Sequence, residues 1–338
     1  MQTVDSGANP TSWFARGVWA VLLLLALGTL GLMWWWDTEP DYFDPVEVAR
    51  QRASLNNQRV VVGSATTTAL VHSAKIMLDK RGGYLSNDKL PPGVIMDNMP
   101  NWEFGVVTAS RDLTRALRNE FSRSQTQSVE DKDLQEAEPL FSSPNDRWLL
   151  PSSESQYRKA IERIENYADR LADDDLDDAQ FYARADNLAD YLSVVSTRLG
   201  SLSQRLSASV GQTRIDTDLA NDGNAQQSRP APGERMVKTP WSKIDDNFYE
   251  ARGYTWALRE QLEALRVDFA PVLGDKNALV SLEQVIRELE EAQGPIHSPM
   301  VLNGTPFGFF ANHSLVLANY ISRANAALID LRELLRRG

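Results

Sequence analysis

Three carboxylates fall close together in the segment GGYLSNDKLPPGVIMDNMPNWEFG, Gly82 to Gly105: Asp88, Asp97 and Glu103. Glycoside hydrolysis needs two carboxyl groups about 5 to 9.5 Å apart, one as acid and the other as base or nucleophile. A glycan-cleaving site in this chain would therefore be built here. The same residues also spell a packed connector. Gly82-Gly83 stops a helix, and Tyr84, Leu85, Val94, Ile95 and Met96 are apolar enough to turn inward. Asn98, Pro100 and Asn101 form turns, with Asn101 placed to cap a helix opening at Trp102. The connector uses more of the residues and is the reading adopted. Its polar edge, Tyr84, Asp88, Lys89, Asp97, Asn98, Asn101, Trp102 and Glu103, is the expected docking loop.

Other chemistry finds less support. His72, His297 and His313 are the only histidines, none has an i,i+4 partner, and there is no cysteine, so no metal site is expected. Asp173, Asp174, Asp175, Asp177 and Asp178 suit a hard cation, but their spacing is not that of an EF-hand loop, and capping of the following helix explains them better. Asp216–Gly223 raises the same question inside a linker. The stretch Val60–Leu70 resembles a phosphate loop without its lysine and second glycine, and Ser64 or Thr66 as a helix cap accounts for it. No nucleophile elbow and no cofactor motif appears, so neither a catalytic residue nor a cofactor is assigned.

The composition is that of a globular protein: 42% hydrophobic and 24% charged over 338 residues. A net charge of -11 argues against nucleic acid as a partner, since phosphate binding needs a basic face. Between Arg16 and Asp37 lie twenty uncharged residues, Gly17–Trp36, enough to cross about 30 Å of hydrocarbon as a helix. Trp13 with Arg16 at one end, and Trp34, Trp35 and Trp36 at the other, are the expected interface residues. A cleaved leader would have a shorter apolar core and end in small residues. Arg16 precedes the span while Asp37, Glu39, Asp41 and Asp44 follow it. A cytoplasmic stub over 1–16, a span over 17–36 and a periplasmic remainder are therefore expected, with the bilayer as one partner.

Beyond the span the periodicity is helical. Phe181, Ala185, Leu188, Leu192, Val195, Leu199, Leu202 and Leu206 line one helix face; Trp241, Ile244, Phe248, Ala251, Thr255, Leu258, Leu262, Leu265 and Phe269 line another, with Thr239-Pro240 as its start. Further helices are predicted over 64–80, 102–123, 153–172 (Ser153 and Gln156 as a capping box), 276–292 and 311–336, with one short strand candidate at Arg59–Gly63. Ser124–Phe141 and Gly211–Lys238 read as flexible. The fold class is all-α: an N-terminal transmembrane helix, a juxtamembrane segment 37–63, a first helical region 64–210, a linker 211–239 and a second helical region 240–338.

The two regions are either one bundle or two related three-helix units. Leu188–Ser193 matches Leu317–Ser322, Ala160–Glu165 resembles Val285–Glu290, and Gly105–Phe121 can be laid on Gly253–Phe269, in the same order in both halves.

GGYLSND, DNMPNWEFG and RDLTRALRNEF, behind a single N-terminal span, resemble an uncharacterised family of proteobacterial membrane proteins, a domain of unknown function. The resemblance covers most of the chain. It implies a Gram-negative inner-membrane protein and brings no activity, site or cofactor. The expected function is a non-enzymatic periplasmic scaffold that docks an envelope protein or the cell wall. The alternatives are a carboxylate-dependent wall glycan hydrolase and a ligand sensor acting through a partner.

Overall fold

A computed structural model describes residues 10–124, 129–173, 178–214, 235–298 and 300–337. In chain order the α-helices are α1 (Pro10–Trp36), α2 (Pro45–Asn56), α3 (Ser64–Asp79), α4 (Asn98–Ala116), α5 (Lys132–Phe141), α6 (Ser153–Ala172), α7 (Ala185–Ser207), α8 (Ile244–Asp268), α9 (Ala270–Asp275), α10 (Leu279–Glu291) and α11 (His313–Arg336). A π-helical turn, Leu117–Phe121, prolongs α4, and a two-stranded antiparallel ribbon, β1 (Gln212–Arg214) with β2 (Arg235–Val237), is the only sheet among the described residues. The all-α fold with an N-terminal apolar helix is as the periodicity predicts.

α8 is the central helix. Ala251 to Leu258 are all buried, so it is covered all round rather than along one stripe. α4 lies along it in the same direction, and the two backbones meet at glycines. A Cβ on Gly105 would stand 2.2 Å from the Glu250 carbonyl oxygen and one on Gly253 1.9 Å from the Trp102 carbonyl oxygen. These two glycines are the first residues of the segments laid on each other by the internal match. A second matched pair, α7 and α11, also packs together, while the third, α6 and α10, is not a packed pair. α7 and α11 run antiparallel along a seam of small polar residues: Ser203 Oγ to Ser322 Oγ at 2.6 Å, Ser196 Oγ donating to Asn325 Oδ1 at 2.8 Å, and Arg332 donating to Ser193 Oγ at 2.8 Å.

α3 starts at Gly63 in the left-handed region, where a Cβ would strike the Phe181 ring at 2.6 Å. Its cap comes from the far end of α8. Asp268 Oδ2 accepts from the Thr66 amide at 2.8 Å and the Thr66 hydroxyl at 2.7 Å, while Ser64 instead accepts from the Val61 amide. Phe121, Phe181, Phe269 and Tyr191 form an aromatic cluster nearby. One hydrophobic core runs through both predicted helical regions, from Leu70 to Leu335.

Several local expectations change. Arg59–Gly63 is a turn with Val60 and Val62 exposed, not a strand. Phe181 precedes α7 in extended chain, its neighbour Tyr182 donating to the Phe121 carbonyl at 2.6 Å. α8 opens through a 3-10 turn, Trp241–Lys243, that leaves Trp241 exposed; Pro240 holds the N-cap position of that turn without a side-chain cap, and the Thr239 amide donates to the Ala208 carbonyl. α6 has the predicted bounds, but Ser152 is its cap, accepting from the Ser155 amide. Ser153 ties the preceding loop, accepting from Arg147 and donating to Pro144.

Lys132–Phe141, expected to be flexible, is α5. Asp131 caps it, and Leu134, Ala137 and Phe141 are buried. Its acids are paired by cations far away in sequence, Arg118 with Glu130 and Glu138, and Arg170 with Asp131 and Asp133, which makes the polar run foldable. The aspartate run does not cap α7, whose N-cap is Arg184. Asp173 ends α6, Asp178 accepts from Arg170, and Asp174, Asp175 and Asp177 lie outside the described residues, as does Asp216–Gly223. The predicted linker is ordered at both ends as β1 and β2, and residues 215–234 lie outside the description.

Candidate functional site

Helix direction decides which loops share an end. α3 is antiparallel to α6 (Lys75–Glu165, Asp79–Arg158) and to α8 (Thr66–Asp268); α7 is antiparallel to α8 (Tyr191–Gln261, Arg205–Glu250). The end of α3, the starts of α4, α6, α8 and α11, and the end of α7 therefore gather at one end of the bundle. α1 leaves from that end. The Trp36 ring lies on Gly82, where a Cβ would be 2.7 Å from Cδ2, and Arg81 stands 6.0 Å over the Trp35 ring. Asn98 donates to Asp37 at 3.0 Å. The chain then runs up the bundle. Glu39 pairs with Arg252, whose remaining donors go to the carbonyls of Ala292, Gln293 and Gly294. Phe43 packs edge-on against His72 and near Trp256, while its amide donates to Glu260.

The Gly82–Gly105 segment forms the base around this exit. Positive φ at Gly82 and Gly83 reverses the chain after α3. Glu103, fully buried on α4, then fixes the turn. Its carboxylate is paired with buried Lys80 and accepts from the Leu85 and Ser86 amides, each at 2.8 Å, and from the Ser86 hydroxyl at 2.6 Å. Burial pushes the Glu103 carboxyl up, against the pull of Lys80 and the Ser86 and Leu85 donors. Both carboxylate oxygens are engaged, Oε1 by Lys80 and the Leu85 amide and Oε2 by the Ser86 amide and hydroxyl, which makes Glu103 a structural latch. Trp102 is buried beside Trp256, with ring centroids 5.1 Å apart. Tyr84 is buried and donates to the Asn145 carbonyl at 2.8 Å, and Asn87 donates to Arg147, so the loop before α6 is tied to the same base.

The other loop residues have surroundings of their own. Asp88 lies against Gly93, whose Cβ would sit 1.9 Å from Asp88 Oδ2, and burial followed by Glu154 raises its carboxyl. Asp97 is exposed at the N-cap position of α4 without capping it; burial, then Asp245 and Asp246, raises its carboxyl. Asn101 is inside α4, donating to the Asp97 carbonyl, because the helix begins at Asn98 rather than Trp102. Lys89 is exposed. Of the residues expected to turn inward, Tyr84 and Leu85 are in the core and Met96 packs on it, but Val94 and Ile95 are 51% and 56% exposed. A shallow hollow joins loop to helix here, lined by Met33, Trp34, Asp37, Ile95, Met96, Asp97 and Asn98.

The histidines are dispersed. His72 is held by Phe43, His313 Nδ1 accepts from the Leu302 amide at 3.2 Å, and His297 is exposed. Burial lowers both His72 and His313. Sequence reading missed two carboxylates. Glu260, buried on α8, is pushed up to about 7 by burial against the opposing pull of Arg259. Glu120, in the π-helical turn, is pushed up to about 6 by burial and Asp190; it lines a polar crevice with Arg123, Arg184 and Asp186 at the far end of the bundle. The only sequence signal for Glu260 is its place within an otherwise buried helical run.

The molecule is thus an all-helical bundle carrying one N-terminal helix long and apolar enough, over Trp13–Trp36, to cross a membrane, with that helix braced on the bundle's base. A family model described as an uncharacterized protein conserved in bacteria, DUF2333, matches residues 8–338, and the chain belongs to that family. Neither a curated protein nor a solved structure matches the chain.

Proposed function

We propose that this chain is a membrane-anchored, non-enzymatic scaffold of the bacterial envelope. In this reading α1 spans the inner membrane, and the helical bundle stands in the periplasm, where it docks an envelope protein or the wall. The observation that carries the reading is the brace at the base. Trp36 on Gly82, Arg81 over Trp35, Asn98 on Asp37 and the buried Glu39–Arg252 pair hold the bundle in a fixed pose on the helix that leaves it. Removal of a leader ending at Trp36 would strip away the Trp36–Gly82 and Arg81–Trp35 contacts, whereas a retained anchor keeps them. The only cation between Trp13 and Trp36, Arg16, precedes the apolar run, and acids follow it, which supports a cytoplasmic N-terminus. The Glu103 carboxylate, taken up by Lys80 and the Leu85 and Ser86 donors, supports scaffold over hydrolase.

Photocrosslinking in intact cells from solvent-facing positions, Val194 on α7 and Ile329 on α11, tests the docking role. Discrete protein or wall adducts are the expected result. Purified protein that cleaves envelope glycan, and stops on Asp88→Asn, would overturn the scaffold reading.

A further inference from the structure

The base of the bundle exposes apolar side chains from four separate connections. The loop between α3 and α4 presents Leu90, Val94 and Ile95. The loop between α5 and α6 presents Trp148, Leu149 and Leu150, and it is fastened beside the first by the Tyr84–Asn145 and Asn87–Arg147 hydrogen bonds. The turn that opens α8 presents Trp241. The loop before α11 is a hairpin, closed by the Asn303–Asn312 bridge and the Gly304–Ala311 hydrogen bond and held to the end of α7 by Asn303 donating to Ser209. Its tip carries Phe307, Phe309 and Phe310.

Among the described residues, every exposed tryptophan and phenylalanine outside α1 belongs to these loops. The opposite end of the bundle exposes only scattered aliphatic residues such as Leu55, Val60 and Val129. Large exposed rings collected on one face call for a cover. Tryptophan and other amphipathic rings, with branched aliphatics beneath them, are the side chains that settle at the headgroup boundary of a bilayer.

The face is continuous with the anchor. Met33 and Trp34, in the last turn of α1, share the basal hollow with Ile95 and Met96, so the loop begins at the depth where the helix ends. We infer that the base of the bundle is a second membrane contact: the four loops insert Leu90, Ile95, Trp148, Leu149, Trp241 and the Phe307–Phe310 tip into the headgroup region of the leaflet from which α1 emerges. The inference rests on α1 being a span. It converts a single-helix tether into a seated platform whose remaining faces, and whose far end, are turned to the aqueous compartment.

The chain contains no cysteine, so single cysteines report without background. Full-length protein in vesicles of phosphatidylethanolamine and phosphatidylglycerol would carry a polarity-sensitive fluorophore at Ile95→Cys, Leu149→Cys or Phe309→Cys. Leu25→Cys in α1 and Leu55→Cys at the far end serve as references. The expected result is blue-shifted emission, and loss of fluorescence to nitroxide-bearing lipid, at the three basal positions and at Leu25→Cys but not at Leu55→Cys. Basal labels that behave like Leu55→Cys while Leu25→Cys is quenched would overturn the seating and leave the span standing. An unquenched Leu25→Cys would overturn both. Blue-shifted basal labels untouched by the lipid quencher would overturn it in favour of a second copy of the chain covering the face.

Discussion

Glu103 and Glu260 show how differently two buried carboxylates behave when their donors differ. Glu103 sits among a cation, two amides and a hydroxyl, so its removal strands Lys80 inside the base. Glu103→Ala is expected to lower the unfolding free energy by about 3–5 kcal/mol in a urea titration, the cost of breaking a buried pair. A loss below about 1 kcal/mol would contradict the latch.

Glu260 has only long contacts, 3.3 Å from the Phe43 amide and 3.3 Å from Arg259, and its pKa rises from 4.5 to about 7. The folded state therefore holds its proton where the unfolded state has lost it. On that account stability falls as pH rises from about 4.5 to about 7 and levels above. The whole effect is on the order of 2–4 kcal/mol. Glu260→Gln removes this slope. The variant's melting temperature relative to wild type is expected to climb across that window, and an unchanging difference would contradict the assignment.

At the scale of elements, the bounds of α6 and the apolar stripes of α7 and α8 were legible because burial leaves a 3.6-residue period in the sequence. The capping of α3 by Asp268 was not, since the partner lies 202 residues away. The same holds for α5, whose acids look like a solvated run until Arg118 and Arg170 are brought to them by the fold. The Gly82–Gly105 segment was readable as a connector, but not the outward turn of Val94 and Ile95, which composition alone assigns to the core. Nor could the sequence show that Gly105 and Gly253 face each other across the α4–α8 crossing. That contact makes a sharp test. Gly253→Ala drives a methyl into the Trp102 backbone and is expected to cost about 2–3 kcal/mol or more. Gly274→Ala in α9, with nothing within 4 Å, should stay within about 1 kcal/mol of wild type. Equal effects at the two glycines, read by thermal and urea unfolding, would contradict the crossing.

For the whole molecule, the consequence of the brace is that the apolar helix meets the bundle through side-chain contacts as well as through the connecting chain. α1 exposes apolar side chains along a run of 24 residues, about 36 Å of helix, and ends against the bundle rather than in a free tether. The chain from Asp37 to Phe43 stays on the protein, pinned at Glu39 by Arg252 and at Phe43 by Trp256 and Glu260. In the proposed reading, this seating turns the same faces of the bundle to its compartment.

The most direct measurement is the sidedness of that bundle. Leu55→Cys, 83% exposed at the end away from the anchor, would be treated with a membrane-impermeant maleimide in cells whose outer membrane alone has been permeabilised, beside Gln2→Cys ahead of α1. Labelling of Leu55→Cys with the inner membrane intact, and of Gln2→Cys only after detergent, is the expected result. The reverse pattern, or labelling of both positions without detergent, would contradict an anchored periplasmic scaffold.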